Sequence, residues 1–120
     1  MSCQSRDFLQ EGIDLFNAGR YFECHEAWEE VWKRARGDEK IRLQGLIQAA
    51  VAILHAERGN LEGAASLYSK ALDKLESTPD RYFGLEIADL REALRLFFGL
   101  ALRGRGAELP QRPQITRYKE

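Results

Sequence analysis

Residues 45–56 read GLIQAAVAILHA, and the fold turns on how they are read. A helix built from this run is apolar almost all round, so it belongs at the centre of a bundle, covered on several sides. Its apolar part is about 14 residues long, short of the roughly 18 that a membrane span requires. Gln48 and His55 are its polar interruptions. The flanking residues extend the helix from about Glu39 to Arg58, with Gly37 and Asp38 as break and N-cap, and Gly59 and Asn60 as its stop.

Outward from this centre, apolar residues keep recurring at spacings of three and four. Leu9, Ile13 and Phe16 stripe a helix over about Asp7 to Ala18, stopped by Gly19. Tyr21, Cys24, Trp28, Val31 and Ala35 stripe a second over about Tyr21 to Ala35, with Glu23, Glu26, Glu30, Lys33 and Arg34 mostly on its other side. Downstream, Leu61, Ala64, Ala65, Tyr68, Ala71, Leu72 and Leu75 are expected to face inward on a helix that ends at Ser77, Thr78 and Pro79. After the loop PDRYFG, Ile87, Leu90, Leu94, Phe97 and Ala101 stripe a fifth helix, about Leu85 to Leu102. No alternating window survives for more than a few residues. The expectation is an all-α protein, a compact five-helix bundle in one domain over residues 1–104. From 105 to 120 the composition shifts to Gly, Pro, Gln and Arg without periodicity, which predicts an extended or disordered tail that the fold can lose.

The composition agrees with one self-sufficient core. A chain of 120 residues, 44% hydrophobic, can bury about two thirds of its unfolded surface and needs neither disulfides nor a structural metal. Eighteen basic residues against nineteen acidic ones give no general pull toward nucleic acid or anionic lipid. Cys3 and Cys24 sit in unrelated contexts, which argues against a disulfide and for a reducing compartment. The start MSCQSRDFLQEG has no signal-peptide pattern, so a cytoplasmic location is expected.

An offset of 40 superposes GRYFECHEAWEEVW from Gly19 on GNLEGAASLYSKAL from Gly59. Small residues at Cys24 and Ala64 let a neighbouring helix approach, and Trp28 and Tyr68 fill the space beyond. The logic is that of tetratricopeptide helix pairs, whose period is about 34, so tetratricopeptide-like packing is expected within a bundle.

Chemistry is sought where polar residues stand at positions that periodicity reserves for apolar ones. His25 and Glu29 are one turn apart beside Trp28 and Trp32, and Gln44, Gln48 and His55 share one side of the central helix. Folding the two helices about residue 38 sets Glu29 level with Gln48 and Trp32 level with Gln44, which predicts an interior polar cluster. Three readings fit it: a structural network in which Glu29 accepts from Gln48 and orients His25, a small-molecule or peptide pocket walled by Trp28 and Trp32, and a metal or catalytic site. HEAWE is a weak match to the HExxH zinc helix, because Glu29 stands at the second histidine's place. Glycine-rich phosphate loops, GxSxG, CxxC and paired ExxH motifs are missing.

At these residues the chain resembles the bacterial and archaeal family of domain of unknown function number 309. The likeness is carried by His25, Glu29 and Trp32 in HEAWEEVW, by the preamble FNAGRYFECHE, by LQGLIQAAVAILH followed by GNLEGA, and by PDRYFGLEI. It extends from about Phe8 to Phe98. Family members often carry proline shortly after the tryptophan, where this chain has Lys33, Arg34 and Ala35, so the second helix is expected to run on by a turn. The resemblance implies a small multihelical bundle and functional weight on the His-Glu motif; it brings no activity or cofactor.

The first functional expectation is a non-enzymatic binding or interaction module, whose groove or polar pocket around His25, Glu29, Trp28, Trp32, Gln44, Gln48 and His55 takes a small molecule or peptide. The alternative is a metal-dependent hydrolase using His25 and Glu29. A homodimer is a further expectation, because Phe98 lies off the inner stripe of its helix and Phe83 lies in a loop, which together suggest an exposed apolar patch.

Overall fold

The computed structural model describes residues 7–103 and 110–118; residues 1–6, Cys3 among them, and residues 104–109, 119 and 120 lie outside them. Among the described residues the chain forms five helices: α1 (Phe8–Asn17), α2 (Tyr21–Trp32), α3 (Gly37–Glu57), α4 (Leu61–Glu76) and α5 (Ile87–Ala101). A two-stranded hairpin, β1 (Arg81–Tyr82) and β2 (Leu85–Glu86), stands between α4 and α5. The central helix begins at Gly37, two residues earlier than its composition suggests, with Arg36 and not Asp38 in the cap position. α2 closes at Trp32, although Ala35 N still donates to Val31 O at 3.1 Å, so a last turn follows the helix proper.

α3 is the middle of the molecule, packed against α2 on one side and α4 on the other. Leu43, Leu46, Ala49, Ala50, Ala52 and Ile53 are all buried, as a helix apolar all round must be. The internal repeat is visible in the backbone. Gly19 and Gly59 both take positive φ, +78° and +83°, to end α1 and α3 and start the following helix two residues on, while Cys24 and Ala64 are both fully buried.

Between α1 and α2 the contact is set by Trp28. Its ring is fully buried, stacks on Phe16 at 6.0 Å between centroids and donates from Nε1 to Leu9 O at 3.1 Å. A β-carbon at Gly12 would stand 2.1 Å from Trp28 Nε1, so α1 admits the indole only because that position is glycine. Trp28 is therefore core, and the expectation that it walls a pocket is corrected: its polar atom is satisfied and none of its surface is open.

The fifth helix begins at Ile87 because Leu85 and Glu86 are taken by the hairpin. Phe83 and Gly84, both at positive φ (56° and 74°), form its two-residue loop, as a primed hairpin turn requires. Tyr82 and Phe83 pack edge to face at 4.5 Å, and Arg42 of α3 lies over the Tyr82 ring. Phe98 is 1% exposed and stacks on Tyr68 at 4.3 Å, so the apolar patch expected around it is not at the surface. Among the described residues the large apolar side chains that are exposed are Phe22, Ile41, Leu96 and Leu100.

Residues 110–118 are extended and seated on the helices rather than solvated. Asn17 clamps the Ile115 backbone on both sides, accepting from Ile115 N at 2.7 Å and donating to Ile115 O at 3.0 Å, and Ile115 itself is buried. Beyond it the chain pairs with the hairpin: Glu86 N donates to Thr116 O at 2.8 Å, and Tyr118 N to Gly84 O at 3.2 Å. Arg112 makes a two-pronged ion pair with Glu57 at 2.7 and 2.9 Å. An isolated buried isoleucine gives no period, which is why composition alone reads this segment as free.

Candidate functional site

The polar side chains that broke the apolar pattern come from α2 and α3, and the geometry sorts them. His25, Glu29 and Trp32 fall on one stripe of α2 because residues four and seven apart share a helix face. His25 Nε2 lies 3.1 Å from Glu29 Oε2. A carboxylate only accepts, so in the neutral tautomer that turns Nε2–H toward Glu29, Nδ1 is left as an acceptor. The pair is not interior. The His25 and Glu29 side chains are 27% and 47% exposed, so their attraction is worth about 0.3–0.5 kcal/mol, as for other exposed pairs one turn apart.

On the facing helix, Lys40, Gln44 and Gln48 recur every four residues and share a face. Lys40 Nζ stands over the Trp32 ring, 4.0 Å from its centroid, a cation–π contact that ties the start of α3 to the end of α2. From that tie the helices run antiparallel, and eight residues along each bring Gln48 level with the turn of Cys24 and His25. Gln44 is partly buried. No hydrogen bond among the described residues joins Gln44 or Gln48 to Glu29. His55 goes elsewhere: its Nδ1 lies 3.3 Å from Asn60 Nδ2, and Asn60 Oδ1 accepts from Gly63 N, so this histidine serves the α3–α4 turn.

What distinguishes the α2–α3 seam is unmet hydrogen-bonding capacity. His25 Nδ1, Trp32 Nε1 and Gln48 Oε1 are each buried without a protein partner among the described residues. Native proteins rarely leave such atoms orphaned, and each costs about 1–3 kcal/mol. Three on two facing helices make a concentrated deficit. The Tyr21 hydroxyl is a further orphan, on the side of α2 where Arg112 lies over its ring. Burial first, then the Glu57 charge, push its phenol well above the usual tyrosine range.

Lys40 went unread in the sequence, though the four-residue spacing with Gln44 and Gln48 was there to show it. The donor set is sparse for a metal: no group of three or more His, Cys, Asp and Glu converges among the described residues, and His25 Nε2 is already engaged with Glu29. Two surface grooves lie away from the seam. One of about 370 Å³ between α1 and α2 is lined by Phe8, Leu15, Ala27 and four glutamates, and one of about 500 Å³ lies between α5 and residues 110–114.

Comparison with known proteins agrees with the residue-level likeness. An uncharacterized protein of Aquifex aeolicus is 31% identical over 104 residues, which is 86% of this chain and 31% of that protein. The uncharacterized protein YpuF of Bacillus subtilis is 41% identical over 73 residues, 59% of this chain and 40% of that one. The chain thus spans about a third of the length of these relatives. The family match itself covers residues 9–67, from the first turn of α1 to the middle of α4, and holds the whole His25–Glu29–Trp32 stripe and its α3 counterpart; the hairpin and α5 lie beyond it. Over those residues the chain belongs to the family described as Domain of unknown function (DUF309).

Proposed function

We propose that the protein is a non-enzymatic binding module whose site is the α2–α3 seam at His25, Glu29, Trp32 and Gln48. The observation that carries this reading is the trio of buried atoms with no protein partner among the described residues: His25 Nδ1, Trp32 Nε1 and Gln48 Oε1. A network built for stability would close on itself, since a half-satisfied buried polar set is worse than an apolar one. A set left open is the cost of a surface prepared for something else. The half-exposed Glu29 and His25 give that surface an edge in water, and the flexible Lys40 side chain over Trp32 is a cover that can move.

A small molecule or peptide with its own donors and acceptors would complete the set. The test is a thermal-shift screen of small polar compounds on the wild type and on Gln48→Met. Compounds that raise the wild-type melting temperature and leave the variant unmoved support the reading, because a ligand stabilises only the state that binds it. Equal shifts in both proteins, or none in either, would contradict it. Purified protein is expected to hold no stoichiometric metal at this seam, and a melting temperature that falls on chelation would favour the metal-dependent hydrolase instead.

A further inference from the structure

The orphaned atoms are not distributed at random along the seam, and their order carries chemical information. At the His25 end the groups are acceptors: Gln48 Oε1 and, in the tautomer that turns Nε2–H to Glu29, His25 Nδ1, both buried without a partner among the described residues, and the half-exposed Glu29 carboxylate that His25 Nε2 contacts on one oxygen. At the Trp32 end they are donors: the Trp32 indole N–H, which can only donate, and the Lys40 ammonium beside it. The two ends are seven residues apart on α2, about 10 Å along the helix axis. Acceptors with a carboxylate among them call for a cationic donor, and donors with an ammonium among them call for an anionic acceptor.

We infer that the seam binds a small zwitterion, an amino acid or short peptide, with its ammonium at His25, Gln48 and Glu29 and its carboxylate at Trp32 Nε1 and Lys40. This assignment rests on the binding role proposed above and adds the ligand's class and direction. An extended tripeptide spans about 10 Å, so it matches the distance between the two ends. Binding moves Lys40 Nζ off the Trp32 ring to meet the carboxylate; the chain's own ammonium sits there in the ligand-free protein.

The experiment is a titration of the full, nitrogen-15-labelled chain with triglycine, N-acetyltriglycine, triglycinamide and N-acetylglycinamide, read at the two indole N–H signals. Trp28 is the internal control, since its N–H is held by Leu9 O inside the core. The expected result is a saturable shift of the Trp32 signal by triglycine, with Trp28 unmoved. Blocking either terminus should weaken binding at least tenfold. Lys40→Met should abolish the preference for the free carboxylate, and Glu29→Gln the preference for the free amine. If the doubly blocked, neutral amide moves the Trp32 signal as strongly as triglycine, the zwitterion class is wrong and the binding site stands. If no probe moves it at millimolar concentration, both fall.

Discussion

Gln48→Met tests whether the seam is open or closed in the free protein. Gln48 Oε1 is buried with no protein partner among the described residues, and an unpaired buried oxygen costs about 1–3 kcal/mol. Methionine keeps glutamine's unbranched length and its helix propensity, so the substitution removes the orphan without changing volume or backbone preference. The amide nitrogen's contact with water is lost too, which trims the gain. The expected outcome is a stabilisation of about 1 kcal/mol, the reverse of what most core substitutions do. Urea melts of both proteins at equal m-value give the difference, and the melting temperature should rise by roughly 4 °C. A loss of about 1 kcal/mol or more would refute the reasoning, because it would mean that the amide is bonded within a closed network. Gain in stability with loss of ligand response is the usual signature of a functional site.

Gly12→Ala should cost about 1–3 kcal/mol, since its β-carbon would stand 2.1 Å from Trp28 Nε1, and near-ultraviolet circular dichroism should report the displaced indole. Deletion of residues 110–120 should cost about 2 kcal/mol or more in denaturant melts, from the buried Ile115 and the backbone clamp by Asn17. In a Cys3→Ser background the remaining thiol, Cys24, should resist disulfide-exchange reagents at pH 8 until the protein unfolds, because burial raises its pKa and suppresses the thiolate; rapid labelling of the folded protein would contradict this.

The reach of the sequence can be judged helix by helix. α3 was legible because an all-round apolar run has one place to go, and Gly19 and Gly59 marked the helix ends because positive φ favours glycine. The hairpin was not, since Arg81–Tyr82 and Leu85–Glu86 are too short to show alternation and their turn puts Phe83, a non-glycine, at positive φ. The seat of Ile115 was invisible for a related reason: one apolar residue held by one distant asparagine, 98 positions away, has no period. In the site, spacing put His25 and Glu29 on one stripe of α2, but folding about residue 38 set Gln48 level with Glu29, whereas the Lys40–Trp32 contact places it one turn along, at Cys24 and His25. Spacing could not say that the fully buried Trp28 would be spent on Gly12, or that His55 would turn to Asn60. Those outcomes depend on how side chains choose among neighbours, which periodicity does not encode.

The seam's open hydrogen bonds are the centre of the account, and a high-resolution crystal structure of the protein tests them directly. The expected result is that His25 Nδ1, Trp32 Nε1 and Gln48 Oε1 have no protein partner, and that density from a molecule other than protein lies within about 2.7–3.2 Å of them when a ligand is present. A Gln48 amide bonded to the Glu29 carboxylate, with Trp32 Nε1 donating to a protein carbonyl, would contradict it and return the cluster to a structural network.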